Sequence, residues 1–106
     1  MTADQLTATL AERVMRWRVA PDRFLQDGRS WIPCWRFQPL TRLDNALALL
    51  DAADPDECWI TRRRGAAWCV TVRIRRAIGK AQNPLQSRAI TLAVAQAVGL
   101  ELDACE

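Results

Sequence analysis

Histidine and tyrosine are absent from this sequence, and glycine occurs only four times. Without histidine the chain lacks the commonest general base and the commonest metal ligand. Without tyrosine it lacks a further frequent proton donor. So few glycines leave little material for strained catalytic turns, and no Gly-rich phosphate loop, G-x-S-x-G or EF-hand pattern occurs. No apolar run reaches the roughly 18 residues that a membrane-crossing helix needs, so no membrane segment is expected. The start, Met1-Thr2-Ala3-Asp4, has neither the basic beginning nor the apolar stretch of a secretory signal, and a cytoplasmic location is expected. Cys34, Cys58, Cys69 and Cys105 contain no C-x-x-C spacing, and there is no histidine to complete a zinc set. Reduced, partly buried thiols are therefore expected rather than disulfides or a metal site. No cofactor is implied.

What remains is ordinary globular material. Half of the 106 residues are apolar and a quarter charged, which suits a single domain over residues 1–106. The net charge of +3 hides an asymmetry. Residues 1–57 hold seven Arg against nine acids, whereas residues 58–100 hold seven Arg and Lys80 against none; Glu101, Asp103 and Glu106 follow. Such a basic stretch is either an electrostatic footprint for a polyanion or acidic protein face, or the complement of the acidic half.

The periodicity predicts three helices. Thr2 and Gln5 have capping-box spacing, and Leu6, Leu10, Val14 and Trp17 form one stripe of a helix from Thr2 to about Trp17. Pro21-Asp22 and Asp27-Gly28 break the pattern over residues 18–30. The segment Trp31 to Phe37 is aromatic-rich and partly extended, with Pro33 limiting it to a short or edge strand. A second helix is expected from Thr41, as N-cap, to about Ala53, with Leu43, Ala46, Leu47 and Leu50 on its apolar face and Asp44 in its first turn. Its acidic exit, Asp51 to Glu57, is expected in water or against the arginines that follow. Cys58 to Arg62 and Ala67 to Arg75 then predict a hairpin whose second strand buries Trp68, Val70, Val72 and Ile74. A turn and loop are expected through Gly79-Lys80-Ala81-Gln82. The last helix has Asn83 as N-cap, Pro84 at its first position and Gly99 as C-terminal cap. Its apolar side is broad, from Leu85, Ala89, Leu92, Ala93 and Gln96 to Ile90, Val94, Ala97 and Val98.

Three stretches resemble a known family. Ala11-Glu12-Arg13-Val14-Met15-Arg16-Trp17 is similar to its first helix end, and Phe37-x-Pro39-x-Thr41-x-Leu43-x-x-Ala46 to its entry into the next helix. Arg88-Ala89 with Leu92-Ala93 is similar to its last helix, and Trp68 has a counterpart on a strand. On these residues, across roughly residues 6–97, the chain resembles the phage ABA sandwich domain, small phage and prophage proteins of largely unassigned function. Arg42 stands where that family has Asp, and Gln38 and Leu40 where it has serines. The resemblance implies an α+β fold with helices packed on a small antiparallel sheet, in the order α-(β)-α-β-β-α, and expression in a bacterial host.

The residues do not predict an enzyme. Without histidine or tyrosine, a catalyst would need paired carboxylates, a cysteine with another base, or a metal on oxygen ligands. The carboxylates cluster only at Asp51, Asp54, Asp56 and Glu57, in a solvated turn. The candidate binding residues are basic and aromatic: Arg62, Arg63 and Arg64 at the hairpin turn, and Arg73, Arg75 and Arg76 at the far end of its second strand. Antiparallel geometry puts these two groups at opposite ends, which weakens a surface that must track a phosphate backbone. Trp17 and Trp68 fall on core stripes. For Trp31, Trp35 and Trp59 core packing is the leading reading, and a partner-facing patch with Arg29 or Arg36 is the alternative.

These observations, with the resemblance, point to a phage or prophage accessory protein that binds a host bacterial protein or protein complex stoichiometrically in the host cytoplasm. Its target is expected in a bacterial defence system, as for an anti-CRISPR protein. The alternative is a nucleic-acid-binding phage protein that uses the basic hairpin, with Trp59 stacking on a base. Self-association as a homodimer through the broad last helix is a third reading.

Overall fold

The computed structural model describes residues 2–26 and 30–100. The Asp27-Gly28 turn, Arg29, Glu101, Asp103, Cys105 and Glu106 lie outside them. The described chain runs α1 (Ala3–Arg13), β1 (Arg18–Val19), β2 (Arg23–Gln26), β3 (Ser30–Pro33), a 3-10 turn (Cys34–Arg36) and α2 (Leu43–Ala53). It continues through β4 (Glu57–Arg62), β5 (Trp68–Ile74) and β6 (Ala77–Asn83) to α3 (Gln86–Ala97). The fold class is α+β as expected, but with two three-stranded antiparallel sheets, β1-β2-β3 and β4-β5-β6, rather than one.

Helix α1 forms for the reason its sequence suggests. The Thr2 Oγ1 accepts from the Gln5 amide at 3.1 Å, and the Gln5 side chain accepts from the Thr2 amide at 2.9 Å, closing the capping box. Leu6, Leu10, Ala11 and Val14 are buried. The helix ends at Arg13, short of the expected Trp17, because Arg16 takes a left-handed conformation (φ 60°). Trp17 still reaches the core by turning back, half-buried, with its ring 5.0 Å from Phe37 and 6.0 Å from Phe24. The stretch read as a break, residues 18–26, supplies β1 and β2 of the first sheet, with Phe24 pointing into that aromatic cluster.

The entry to α2 differs from expectation. Thr41 is not the N-cap; Arg42 holds that position without a side-chain cap, and the Thr41 hydroxyl donates to the Gln38 side chain at 3.3 Å. The turn is tied instead by the Gln38 amide, which donates to Asn45 Oδ1 at 2.8 Å. The apolar face is also rotated: Ala46 and Leu49 are buried, Leu50 is half-buried, and Leu43 and Leu47 face solvent. Helix α2 meets α3 rather than a sheet, and a small residue at position 46 suits that contact.

The expected hairpin is β4–β5, with Cys58 opposite Val72, Ile60 opposite Val70 and Arg62 opposite Trp68. The segment read as a loop, Gly79 to Gln82, is the third strand of this sheet, pairing Gly79 with Val72 and Lys80 with Thr71. Glycine, lysine and alanine have weak strand propensity, and tertiary packing overrides it. Helix α3 lies across β5 and β6 so closely that a Cβ on Gly79 would overlap the Ala93 carbonyl oxygen and sit 2.7 Å from the Ala97 amide nitrogen. The Lys80 amide donates to the Gln96 side chain, which covers the β6 edge.

Helix α3 is buried along most of its circumference, by the sheet on one side and α2 on the other, so no second subunit is needed to explain its breadth. Asn83 does accept from the Leu85 amide (3.0 Å), yet Leu85 is extended and the helix starts at Gln86. Pro84 therefore precedes the helix instead of opening it. Leu85, expected on the apolar face, is exposed, as is Gln96. Two buried hydroxyls join the halves of the molecule: Thr91 donates to the Pro39 carbonyl at 2.8 Å and Ser87 to the Leu40 carbonyl at 3.1 Å. Gly99 (φ 89°) ends the helix as expected, with its amide on Gln96 and that of Leu100 on Ala95, the two bonds of a Schellman cap.

The Gly79 contact has a direct consequence. Gly79→Ala forces a methyl group against helix backbone that has no side-chain freedom to yield, so it is expected to cost about 2–3 kcal/mol. Urea unfolding would show a lower midpoint at unchanged slope.

Candidate functional site

The second sheet has one face against α3 and one open. From the register, Glu57, Trp59 and Thr61 of β4, Cys69, Thr71 and Arg73 of β5, and Ile78, Lys80 and Gln82 of β6 share the open face. Trp59 is 51% exposed there, between Glu57 and Thr61 on an edge strand. The expectation that it packs in the core is overturned by strand parity: Ile60 points inward, so Trp59 must point out.

Trp31 and Trp35 are likewise outside the core, at 46% and 62% exposed. Trp31 stands on β3 opposite Leu25, and the Arg23 guanidinium, one diagonal step away, lies 4.5 Å from its ring centre. Trp35 projects from the 3-10 turn with the Arg36 guanidinium 5.6 Å from its ring. Each stacked pair contributes on the order of 0.5–1 kcal/mol at such exposure. It also presents a flat, amphipathic surface with few rotamers to freeze on binding, the property that makes Trp and Arg frequent in interface hot spots.

Trp35 also lines a half-open cleft of about 550 Å³ between the start of α1 and the first sheet, with Val19, Phe24, Phe37 and Leu40 giving it an apolar lining and Asp4 on its wall. Cys34 lies in the same cleft. Burial, then the carboxylates of Asp22 and Asp4, push its thiol above the ordinary value. Burial does the same to Cys58. These are settings for packing thiols, since a raised pKa starves the thiolate that would react.

The six arginines of the hairpin do not converge. The two groups lie at opposite ends of β5, about 20 Å apart at strand rise. At the turn, Arg62 is folded over Trp68 (5.3 Å) with its Nε donating to the Ala66 carbonyl at 3.1 Å, while Arg63 and Arg64 are exposed. At the far end the acidic exit of α2 folds back as one reading expected. Arg73 pairs with Glu57 at 3.1 Å, and the Arg75 amide donates to Asp56 Oδ2 at 2.7 Å. Arg76 is exposed beside them. Among the described residues, no group of three or more cysteine or acidic side chains is placed to hold a metal ion, and no helix is long and apolar enough to cross a membrane.

The sequence could have shown Trp59 outside by parity with Ile60. The stacking of Arg23 on Trp31 needed the strand pairing, because the stretch holding Arg23 carries turn signals.

The thiol environments are open to test. At pH 8, iodoacetamide should modify exposed Cys69 well before Cys34 and Cys58. The rates of the latter two should keep rising with pH beyond the range of an ordinary thiol, because their folded-state thiolates form only at higher pH. Peptide mapping over time would show the order, and equal rates at all three would contradict it.

No family model and no curated protein matches the chain, so the likeness to the phage ABA sandwich domain rests on the sequence stretches alone. Among solved structures, the fold is similar to that of a phage protein from Bacillus cereus ATCC 14579, with a TM-score of 0.76 at 16% sequence identity, covering 97% of this chain and 93% of that one.

Proposed function

We propose that this is a phage or prophage accessory protein that acts without catalysis, by stoichiometric binding to a host bacterial protein complex. An inhibitor of a bacterial defence system, in the manner of an anti-CRISPR protein, is the form this takes. The observation that carries the reading is the placement of Trp31 and Trp35 outside the core, each beside an arginine, with Trp35 on the rim of an apolar cleft. A folded protein leaves large aromatic side chains in water at some risk of aggregation, and a partner surface is the common physical reason for doing so. The partner would present an apolar side chain to the cleft and an acidic group to Arg36, which stacks on Trp35 there. The fold likeness to a phage protein supports the setting.

The alternative reading, nucleic-acid binding, is favoured by one feature: Trp59 is exposed on a sheet face that also carries Lys80, as a single-strand stacking platform requires.

A tagged pull-down from bacterial lysate, with and without nuclease, separates the two. A host complex retained after nuclease, and lost with Trp31→Ala or Trp35→Ala at a stability change below about 1 kcal/mol, is the expected result. Loss of every partner after nuclease, with a salt-steep affinity for single strands that Trp59→Ala abolishes, would instead establish the alternative.

A further inference from the structure

Among the described residues, five have a positive φ, and two of them are the glycines Gly65 and Gly99, which take it without steric penalty. The other three are Arg16 (φ 60°), Asp54 (φ 49°) and Arg75 (φ 57°). Each stands at a reversal where glycine is the ordinary choice. Arg16 follows the last turn of α1, Asp54 is the C-cap of α2, and Arg75 begins the two-residue turn between β5 and β6. All three line one open recess of about 730 Å³, together with Arg76, Asp56, Ile74 and several alanines. Gly65 and Gly99 do not line it. Left-handed backbone carrying a charged side chain thus occurs three times, and each time at the same place, which is the pattern of strain held for a site.

Among the described residues, the charged side chains that line the recess form no ion pairs with one another within 4.0 Å. Elsewhere Arg23, Arg42 and Arg73 each have a carboxylate within 4.0 Å, whereas no such ion pair joins Arg16, Arg75 or Arg76 to Asp54 or Asp56 among the described residues. Asp56 is engaged by the Arg75 amide, which fixes the turn, and Asp54 stays open. Arg16, Arg75 and Arg76 come to the recess from two segments distant in sequence; guanidinium is a donor suited to phosphoryl oxygens, and the Asp54 carboxylate an acceptor suited to hydroxyls. The volume lies in the range of small-ligand sites.

We propose that this recess binds the phosphate of a nucleotide, with Arg16, Arg75 and Arg76 on the phosphoryl oxygens and Asp54 accepting from sugar hydroxyls. The site is separate from the tryptophan surfaces and does not depend on them. A free nucleoside monophosphate and the 5′ end of a strand present the same chemistry.

Calorimetric titration of the full chain with inorganic phosphate, adenosine monophosphate, adenosine, and a 5′-phosphorylated or 5′-hydroxyl oligonucleotide tests this. Adenosine monophosphate should bind more tightly than phosphate, and adenosine not at all. Arg16→Gly and Arg75→Gly should each weaken binding by about tenfold or more while leaving the melting temperature equal or higher, because glycine relieves the backbone. Asp54→Gly should remove the advantage of the nucleotide over phosphate. Preference for the 5′-phosphorylated oligonucleotide over its 5′-hydroxyl form would assign the ligand to a strand end. Preference for free adenosine monophosphate would assign it to a mononucleotide. The proposal is overturned if neither phosphate nor the nucleotide binds, if the glycine variants bind as the wild type does, or if they melt lower. Trp31→Ala and Trp35→Ala should bind the nucleotide normally, so failure of the partner reading leaves this result readable.

Discussion

The closeness of α3 to the second sheet is the constraint on which the rest of the molecule depends. At Gly79 the sheet carries no side chain, and the helix backbone at Ala93 and Ala97 settles into the space. Contact at this distance needs small residues on the helix, and Ala89, Ala93 and Ala97 supply them at helical spacing. It also makes a strand of a segment that has little tendency to be one. Once α3 is seated, Ser87 and Thr91 hold the carbonyls of Leu40 and Pro39, which fixes where the chain leaves the first sheet and enters α2. Buried carbonyls at a turn would otherwise lack partners, so these two bonds specify the joint between the halves as well as stabilising it.

That arrangement distributes the chemically interesting residues over separate surfaces. The first sheet carries Trp31 with Arg23 stacked on it, and the 3-10 turn carries Trp35 beside Arg36, with Trp35 lining the apolar cleft beside α1. The open face of the second sheet carries Trp59 and Lys80. The basic residues counted together in the sequence split three ways: onto the tip of the hairpin, into contacts with Trp68 and Glu57, and into the recess where the acidic exit of α2 returns. The asymmetry of charge along the chain is thus partly cancelled in space, because Asp54, Asp56 and Glu57 follow α2 directly to the Arg73–Arg76 end of β5.

Local signals were reliable where they required only neighbouring residues. The Thr2–Gln5 capping box, the alternation of Trp68, Val70, Val72 and Ile74, and the Gly99 cap are all present, since each depends on contacts within one turn or one strand. Thr41 misled because Gln38 competes for its hydroxyl and Asn45 already ties the turn. The apolar face assigned to α2 misled because Leu43, Ala46, Leu47 and Leu50 fit one stripe nearly as well as Ala46, Leu49 and Leu50. Which stripe is buried was decided by α3.

The sequence by itself determined an α+β fold with three helices and a central hairpin, because periodicity and caps are read within single elements. It also determined that histidine and tyrosine chemistry are excluded. Only the tertiary structure decided that residues 18–19, 23–26 and 77–83 are strands, that Trp31, Trp35 and Trp59 face outward, and that Arg16, Asp54 and Arg75 border one recess. Those outcomes depend on pairing and packing between segments far apart in the chain, where local preference is weak and the burial of α3 is strong.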